Sequence, residues 1–377
     1  MGMVLRLFIL IILLGVATLG LLRLHFGGGE NYANLATEPM IEESGIQAVA
    51  SYPEPIGNVA VSASGRLFFT VHPEARPEGP RLLEWRDGKP VPFPDMATQR
   101  AIFESPLGVV VDRQNRLWVV DPANHGLGRP RIVAIDLGTG LVVHEHVFPR
   151  DVAPRGSFLQ DLQVDATGAT VYLADVSLWR DSPALVVYET ATRQSRRVLE
   201  DHRSVRPQDW LIRTPVKEMR FLGGVILMKP GVDGIALDPS GQWLYYGAMV
   251  HDTLYRVPTA ALRDTALGER QVEELVEAVG RKPLSDGLSA DVLGNVYITD
   301  VEHGAVLRMA PGGALTTIIR TPRIRWADAL SFGPGGWLYV ADSALPEVIL
   351  KTRGQISETG PYQIYRFQPG TTGIPGQ

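Results

Sequence analysis

One phrase recurs six times along this chain, and it constrains the fold more than any other feature. In its fullest form, SDGLSADVLGNVYITDVEHGAVLRM at 285–309, it reads as an apolar run, a tight turn at Leu293-Gly294-Asn295, a β-rich run, a second turn at Glu302-His303-Gly304 and a third run. The other copies are GNVAVSASGRLFF (57–69), LGVVVDRQNRLWVVD (107–121), QDLQVDATGATVYLAD (160–175), DGIALDPSGQWLYYG (233–247) and DALSFGPGGWLYVAD (328–342). Aligned on Ser62, Asp112, Asp165, Asp238, Asp291 and Gly333, they lie 50, 53, 73, 53 and 42 residues apart. That spacing fits one four-stranded sheet per repeat. Six such sheets closing on themselves make an all-β, six-bladed β-propeller.

A blade cannot bury both faces alone, so the 377 residues are read as one ring rather than several domains. The expected organisation is an N-terminal hydrophobic helix (1–26), a linker (27–45), the propeller (46–370) and a tail (371–377). The last repeat lacks an outer strand. Gln47–Tyr52 is the economical donor and would close the ring, abolishing sheet edges; the chain is then expected to be a monomer. His202 to Val232 is too long for a connection between blades and too apolar for disorder, so it is predicted to pack over one face.

Leu7 to Leu22 is uninterruptedly apolar or small, between Arg6 and Arg23. With no small-x-small cleavage site, residues 4–24 are read as a membrane anchor rather than a cleaved signal, which puts the propeller outside the cytoplasm, periplasmic or secreted. Gly27-Gly28-Gly29 is expected to detach this segment from the repeats. The sequence has no cysteine, so no disulfide supports the ring. A net charge of −5 without a basic block argues against nucleic acid as a partner.

Function is sought at the channel mouth. Five positions before each aligned turn residue stand Gly57, Leu107, Gln160, Asp233, Asp286 and Asp328. Three carboxylates and an amide thus converge on the axis. Mutual repulsion would raise the pKa of some of them or recruit a cation. Gln160, Asp233, Asp286 and Asp328 are therefore the candidate metal ligands, with Ca²⁺ the hard ion such oxygens prefer. The competing reading is that each Asp caps the turn entering its own strand. A second ring, Asp121, Asp175, Asp300 and Asp342 at the ends of the second strands, is a candidate ligand-binding set together with His303. His125, His251 and His303 sit in compact turns, where a turn-forming role competes with ligation. Lys217, Glu218, Arg220 and Lys229 read as a solvated face. There is no G-x-S-x-G elbow, Gly-rich phosphate loop or H-x-x-x-H pair.

LWVVD (117–121), PRIVAIDLGTG (130–140), FPRDVAPRGSFLQDLQVD (148–165), LVVYE (185–189) and DGIALDPSGQWLYYG (233–247) together resemble the major royal jelly protein/yellow family. That resemblance implies a secreted propeller that binds small ligands or converts dopachrome-like substrates, and it supplies no catalytic set to carry over. More distantly, the chain is similar to gluconolactonase/regucalcin propellers. Their cation ligands would fall on Gln160, Asp233 and Asp286, with the first-blade Glu replaced by Gly57 and Glu104 lying off register. The resemblance implies a small-ligand binder, or alternatively a metal-assisted lactone hydrolase or a tautomerase. In the hydrolase reading Asp286 or Asp328 would take a proton from water.

Overall fold

The turn residue that marks each repeat does the same work in four blades. Asp112 accepts the backbone N–H of Gln114 and Arg116, Asp165 those of Thr167 and Ala169, Asp238 those of Ser240 and Trp243, and Asp291 those of Leu293 and Asn295. A short acceptor that satisfies two turn donors folds the first strand back onto the second, which is why the repeat is visible in the sequence.

The computed structural model describes residues 2–177 and 180–377; Met1 of the N-terminal segment lies outside them. Six four-stranded antiparallel sheets form the propeller. Their innermost strands are Ile56–Val61, Val109–Val111, Leu159–Val164, Val232–Leu237, Leu288–Ala290 and Ala327–Phe332. The last sheet takes its outer strand from Gln47–Tyr52, which runs antiparallel to Tyr362–Phe367. An apolar cluster fills the gap between each pair of neighbouring blades, with Phe69, Phe68, Trp118, Tyr246, Tyr245 and Phe332 among the large side chains. A seventh cluster lies at the mouth, where Ile212, Met219 and Met228 of the inserted segment cover Met249, Leu284, Val301 and Trp326.

Before the outer strand of blade four, Glu269–Glu273 is helical and the strand starts at Glu277; Glu, Arg and Gln favour a helix over a strand edge. Two local expectations change. The glycine run does not detach the N-terminal segment. Gly29 has φ +94°, and a Cβ there would fall 2.2 Å from Leu227 Cδ2. Glycine at this position allows the chain to press against the inserted segment, and Glu30–Asn31 pairs in parallel with Trp210–Leu211. Lys229 is not solvated either: its Nζ donates to the Gly27 carbonyl and to Asp209, each at 2.5 Å.

The helix α1 (Gly2–Phe26) is 25 residues long, has no buried residue, and is long and apolar enough to cross a membrane.

At the opposite face the tail enters the channel. The Val111 N–H donates to the Gly376 carbonyl at 3.0 Å, Phe332 N–H to Gln377 at 2.9 Å, and Val292 N–H to Thr372 at 2.9 Å. Gln377 Nε2 reaches the Val164 carbonyl at 3.2 Å. The segment thus ties together inner strands of blades two, three and six and the first turn of blade five. Deleting residues 371–377 strands these donors, at about 1–3 kcal/mol for each one left buried. The expected result is a melting temperature lowered by several degrees with unchanged circular dichroism in the folded state. An unaltered melting temperature would show that the ring does not lean on the tail.

Candidate functional site at the channel mouth

The inner strands carry a register irregularity at the same place in four blades: Ile56/Asn58, Leu159/Leu162, Val232/Ile235 and Ala327/Ala329. A bulge there breaks the alternation of the strand and re-aims side chains at the axis. Asp233, Asp286 and Asp328 are all buried there. Asp286 is the best held of the three: Trp326 Nε1 donates to its Oδ2 at 2.6 Å and Gln160 Nε2 to its Oδ1 at 3.3 Å. Neither oxygen of Asp233 has a hydrogen-bond partner, nor does Oδ2 of Asp328. Burial, followed by the facing carboxylates, pushes Asp233 well above the usual carboxylate range, and Lys282 opposes this only in part. Asp328 is raised by burial and then by Asp286; Asp286 is raised by burial against the Trp326 bond.

Sequence reasoning missed several members of this cluster. Asp161 follows Gln160 in the bulge and accepts from Asn58 Nδ2 at 3.1 Å. It lines a small cleft with Asn58 and the tail residues Gly376 and Gln377, and burial raises its pKa to about 7. His72 lies after the second strand of blade one; Gly57 makes room for it and for Leu107, since a Cβ there would sit 2.6 Å from Leu107 Cδ1 and 3.1 Å from His72 Cα. The Glu74 N–H donates to His72 Nδ1 at 3.2 Å, which leaves the ring proton on Nε2, 3.8 Å from Asp328 Oδ2. Burial holds His72 down to about 4, so it is neutral at physiological pH. Lys282 is fully buried, donates to Ser285 Oγ at 2.9 Å and is lowered to about 7 by burial.

Above this floor lies a cavity of about 330 Å³. Gln160, Asp233, Asp286 and His72 line its base, and Phe221, Leu222, Ile226 and Leu227 of the inserted segment line its wall together with Phe26 and Leu350. The inserted segment therefore roofs the mouth instead of filling it. Among the described residues no three His, Asp or Glu side chains form a ready-made cation cage. The free oxygens of Asp233 and Asp328 have the chemistry a hard cation needs, and water or ligand oxygens would have to complete its shell.

The second-strand carboxylates face their own loops. Asp121 accepts the N–H groups of Glu104, Ser105 and Ala123. Asp175 accepts Phe158 and Ser177 N–H and pairs with Arg197 at 2.7 Å. Asp342 accepts Arg325 and Trp326 N–H. Asp300 accepts Glu302 N–H, and His303 Nδ1 lies 2.9 Å from its Oδ2. Beside them Glu302 accepts Arg213 N–H at 2.7 Å, which pins the inserted segment to blade five. Glu104 contacts Arg131 on the rim at 3.4 Å, away from the cavity. Of the turn histidines, only His125 lines the cavity, with its Nε2 3.0 Å from Glu74.

The sequence pattern of the family described as "Major royal jelly protein" matches residues 104–317, and the chain belongs to that family. It is 25% identical to major royal jelly protein 3 of Apis mellifera over 199 residues, 48% of this chain and 34% of the relative. The match therefore spans about a third of that protein's length. It is 31% identical to a 6-deoxy-6-sulfogluconolactonase of Pseudomonas putida over 102 residues, 27% of this chain and 33% of that one. Its fold is similar to that of a calcium-binding regucalcin from Agrobacterium tumefaciens, with a TM-score of 0.53 at 15% identity, covering 88% of this chain and 96% of the other.

A raised carboxylate pKa stabilises the fold only while the group is protonated. For Asp161 that contribution is full below the unfolded value near 4 and is lost as the pH climbs through about 7. The variant Asp161→Asn should therefore match the parent in stability near pH 4 and exceed it progressively up to pH 7, by up to about 4 kcal/mol, with a constant difference above. Parallel melting curves at every pH would show that Asp161 is hydrated and ionised.

Proposed function

We propose that the chain is an extracytoplasmic binding propeller, anchored by α1, that takes a small ligand into the mouth cavity. The ligand has an apolar body lying against the inserted segment and a cationic or hydrogen-bond-donating head at Asp233. The observation that carries this reading is the pairing of an apolar cavity with a buried carboxylate whose two oxygens have no partner. Such a group costs several kcal/mol unless it is neutralised or paired. A positive head removes the cost, and the apolar wall supplies affinity. A divalent cation, Ca²⁺ first, is the other occupant this chemistry suits; Asp233 and Asp328 would hold it, with Gln160 and Asp286 beside them.

A second reading, lactone hydrolysis, is supported by the similarity to the sulfogluconolactonase and by the neutral imidazole of His72 beside Asp328. A bound cation would supply polarisation of the lactone carbonyl. The chain itself would orient the ring against the roof and take a proton at Asp328 Oδ2, the oxygen left free.

Melting of the full chain with calcium, with a chelator, and with a small apolar ammonium ion such as cyclohexylammonium tests the site. An occupant at about 100 times its dissociation constant adds roughly 2.7 kcal/mol. The expected outcome is a rise with one of these probes that is lost in Asp233→Asn. An equal rise in the variant would place the occupant elsewhere, and no rise with any probe would leave the cavity without the function proposed.

A further inference from the structure

Where α1 ends determines what the cavity opens onto. Its other residues are exposed, and only Leu22 and Phe26 near its end are partly covered. Arg23 Nη1 donates to the Gly224 carbonyl at 3.1 Å, and Phe26 is itself part of the cavity wall. The helix therefore leaves the propeller from the rim of the cavity, with no slack chain between them. A helix of 25 residues is about 37 Å long, more than the roughly 30 Å of a hydrocarbon core.

Beside the end of α1 the rim is charged, with His25 Nε2 3.4 Å from Asp181 and Lys229 on Asp209, and elsewhere on the same face it carries four exposed apolar side chains. Leu222 is 63% exposed, Leu350 73%, Val216 58% and Leu127 67%. They come from the inserted segment and from loops that follow second strands, so all four lie on the mouth face. Leu222 and Leu350 also line the cavity, so they are at once its wall and its outer lip. Apolar side chains of this kind around an opening cost solvation in water and gain it in a headgroup layer.

We infer that the mouth face of the propeller rests on the bilayer that α1 enters, so that the cavity opens into the lipid headgroup layer and its ligand, an amphiphile, reaches Asp233 from there. The inference rests on the anchor reading of α1. It goes beyond that reading, because an anchored propeller could equally turn its mouth to the solvent.

The cysteine-free sequence makes the test clean. Single variants of the full chain, Leu13→Cys in the helix, Leu222→Cys and Leu350→Cys at the lip, and Leu293→Cys in a turn on the opposite face, are labelled with an environment-sensitive fluorophore. They are then reconstituted in phosphatidylcholine vesicles carrying a nitroxide-labelled lipid. Leu293 is 68% exposed, so it matches the lip residues in everything but position. The expected result is several-fold quenching at Leu13, Leu222 and Leu350 and little at Leu293. Quenching at Leu13 with the lip labels no more quenched than Leu293 would overturn the docked face while keeping the anchor. No quenching at Leu13 would overturn the anchor, and the docked face with it.

Discussion

The pairing of Gln47–Tyr52 with Tyr362–Phe367 is the constraint on which the rest depends. Five residue pairs, from Gln47 with Arg366 to Tyr52 with Tyr362, join the two ends of the propeller sequence into its last sheet. Without them the last blade has three strands and an open edge, and the cluster that bridges blades six and one loses Ala50 and Tyr52. Closing the ring fixes its curvature, and the curvature brings the starts of six inner strands to one axis. On the far side the segment 371–377 adds hydrogen bonds between inner strands, so the channel is tied at one end and open to the cavity at the other.

The acidic centre follows from that geometry. Carboxylates that would each be harmless at the start of an isolated strand become neighbours when the ring closes, in a place with little water. Asp286 is compensated by Trp326 and Gln160, Asp161 partly by Asn58, and Lys282 lies close enough to oppose Asp233. Asp233 itself has no hydrogen-bond partner on either oxygen. A residue left this way lowers stability, and the compensation it lacks is what an occupant of the cavity would supply. The roof of Phe221, Leu222, Ile226 and Leu227 makes the same point from the other side: it encloses an apolar space directly above the unpaired group.

Much of this was legible in the sequence because it rests on local chemistry repeated six times. The turn acceptors Asp112, Asp165, Asp238 and Asp291 are the signature of the blades, and counting back from them leads to Gln160, Asp233, Asp286 and Asp328. The missing outer strand and the covering role of residues 202–232 also follow from counting strands and apolar residues. What was hidden depends on contacts between distant segments or on irregular backbone. Asp161 should point away from Gln160 by strand alternation, and the bulge cancels that rule. His72 stands one residue past the position where blades two, three, five and six end the second strand with Asp and blade one has Val71, and a search for carboxylates passes over it. Gly29 reads as flexibility, whereas Leu227 is the reason a side chain cannot stand there. The carboxylates at 121, 175 and 342 look like a ligand-binding ring until the loops that supply their N–H donors are in place.

The mouth of the closed ring holds a buried carboxyl group with no hydrogen-bond partner, and burial pushes it well above the usual carboxylate range. Infrared difference spectroscopy of the full chain at neutral pH, comparing the parent with Asp233→Asn, reads its protonation directly. The expected spectrum of the empty parent has a protonated carboxylic acid band that is missing from the variant and that fades when the cavity is occupied. A spectrum with only ionised carboxylate bands at neutral pH, in parent and variant alike, would contradict it.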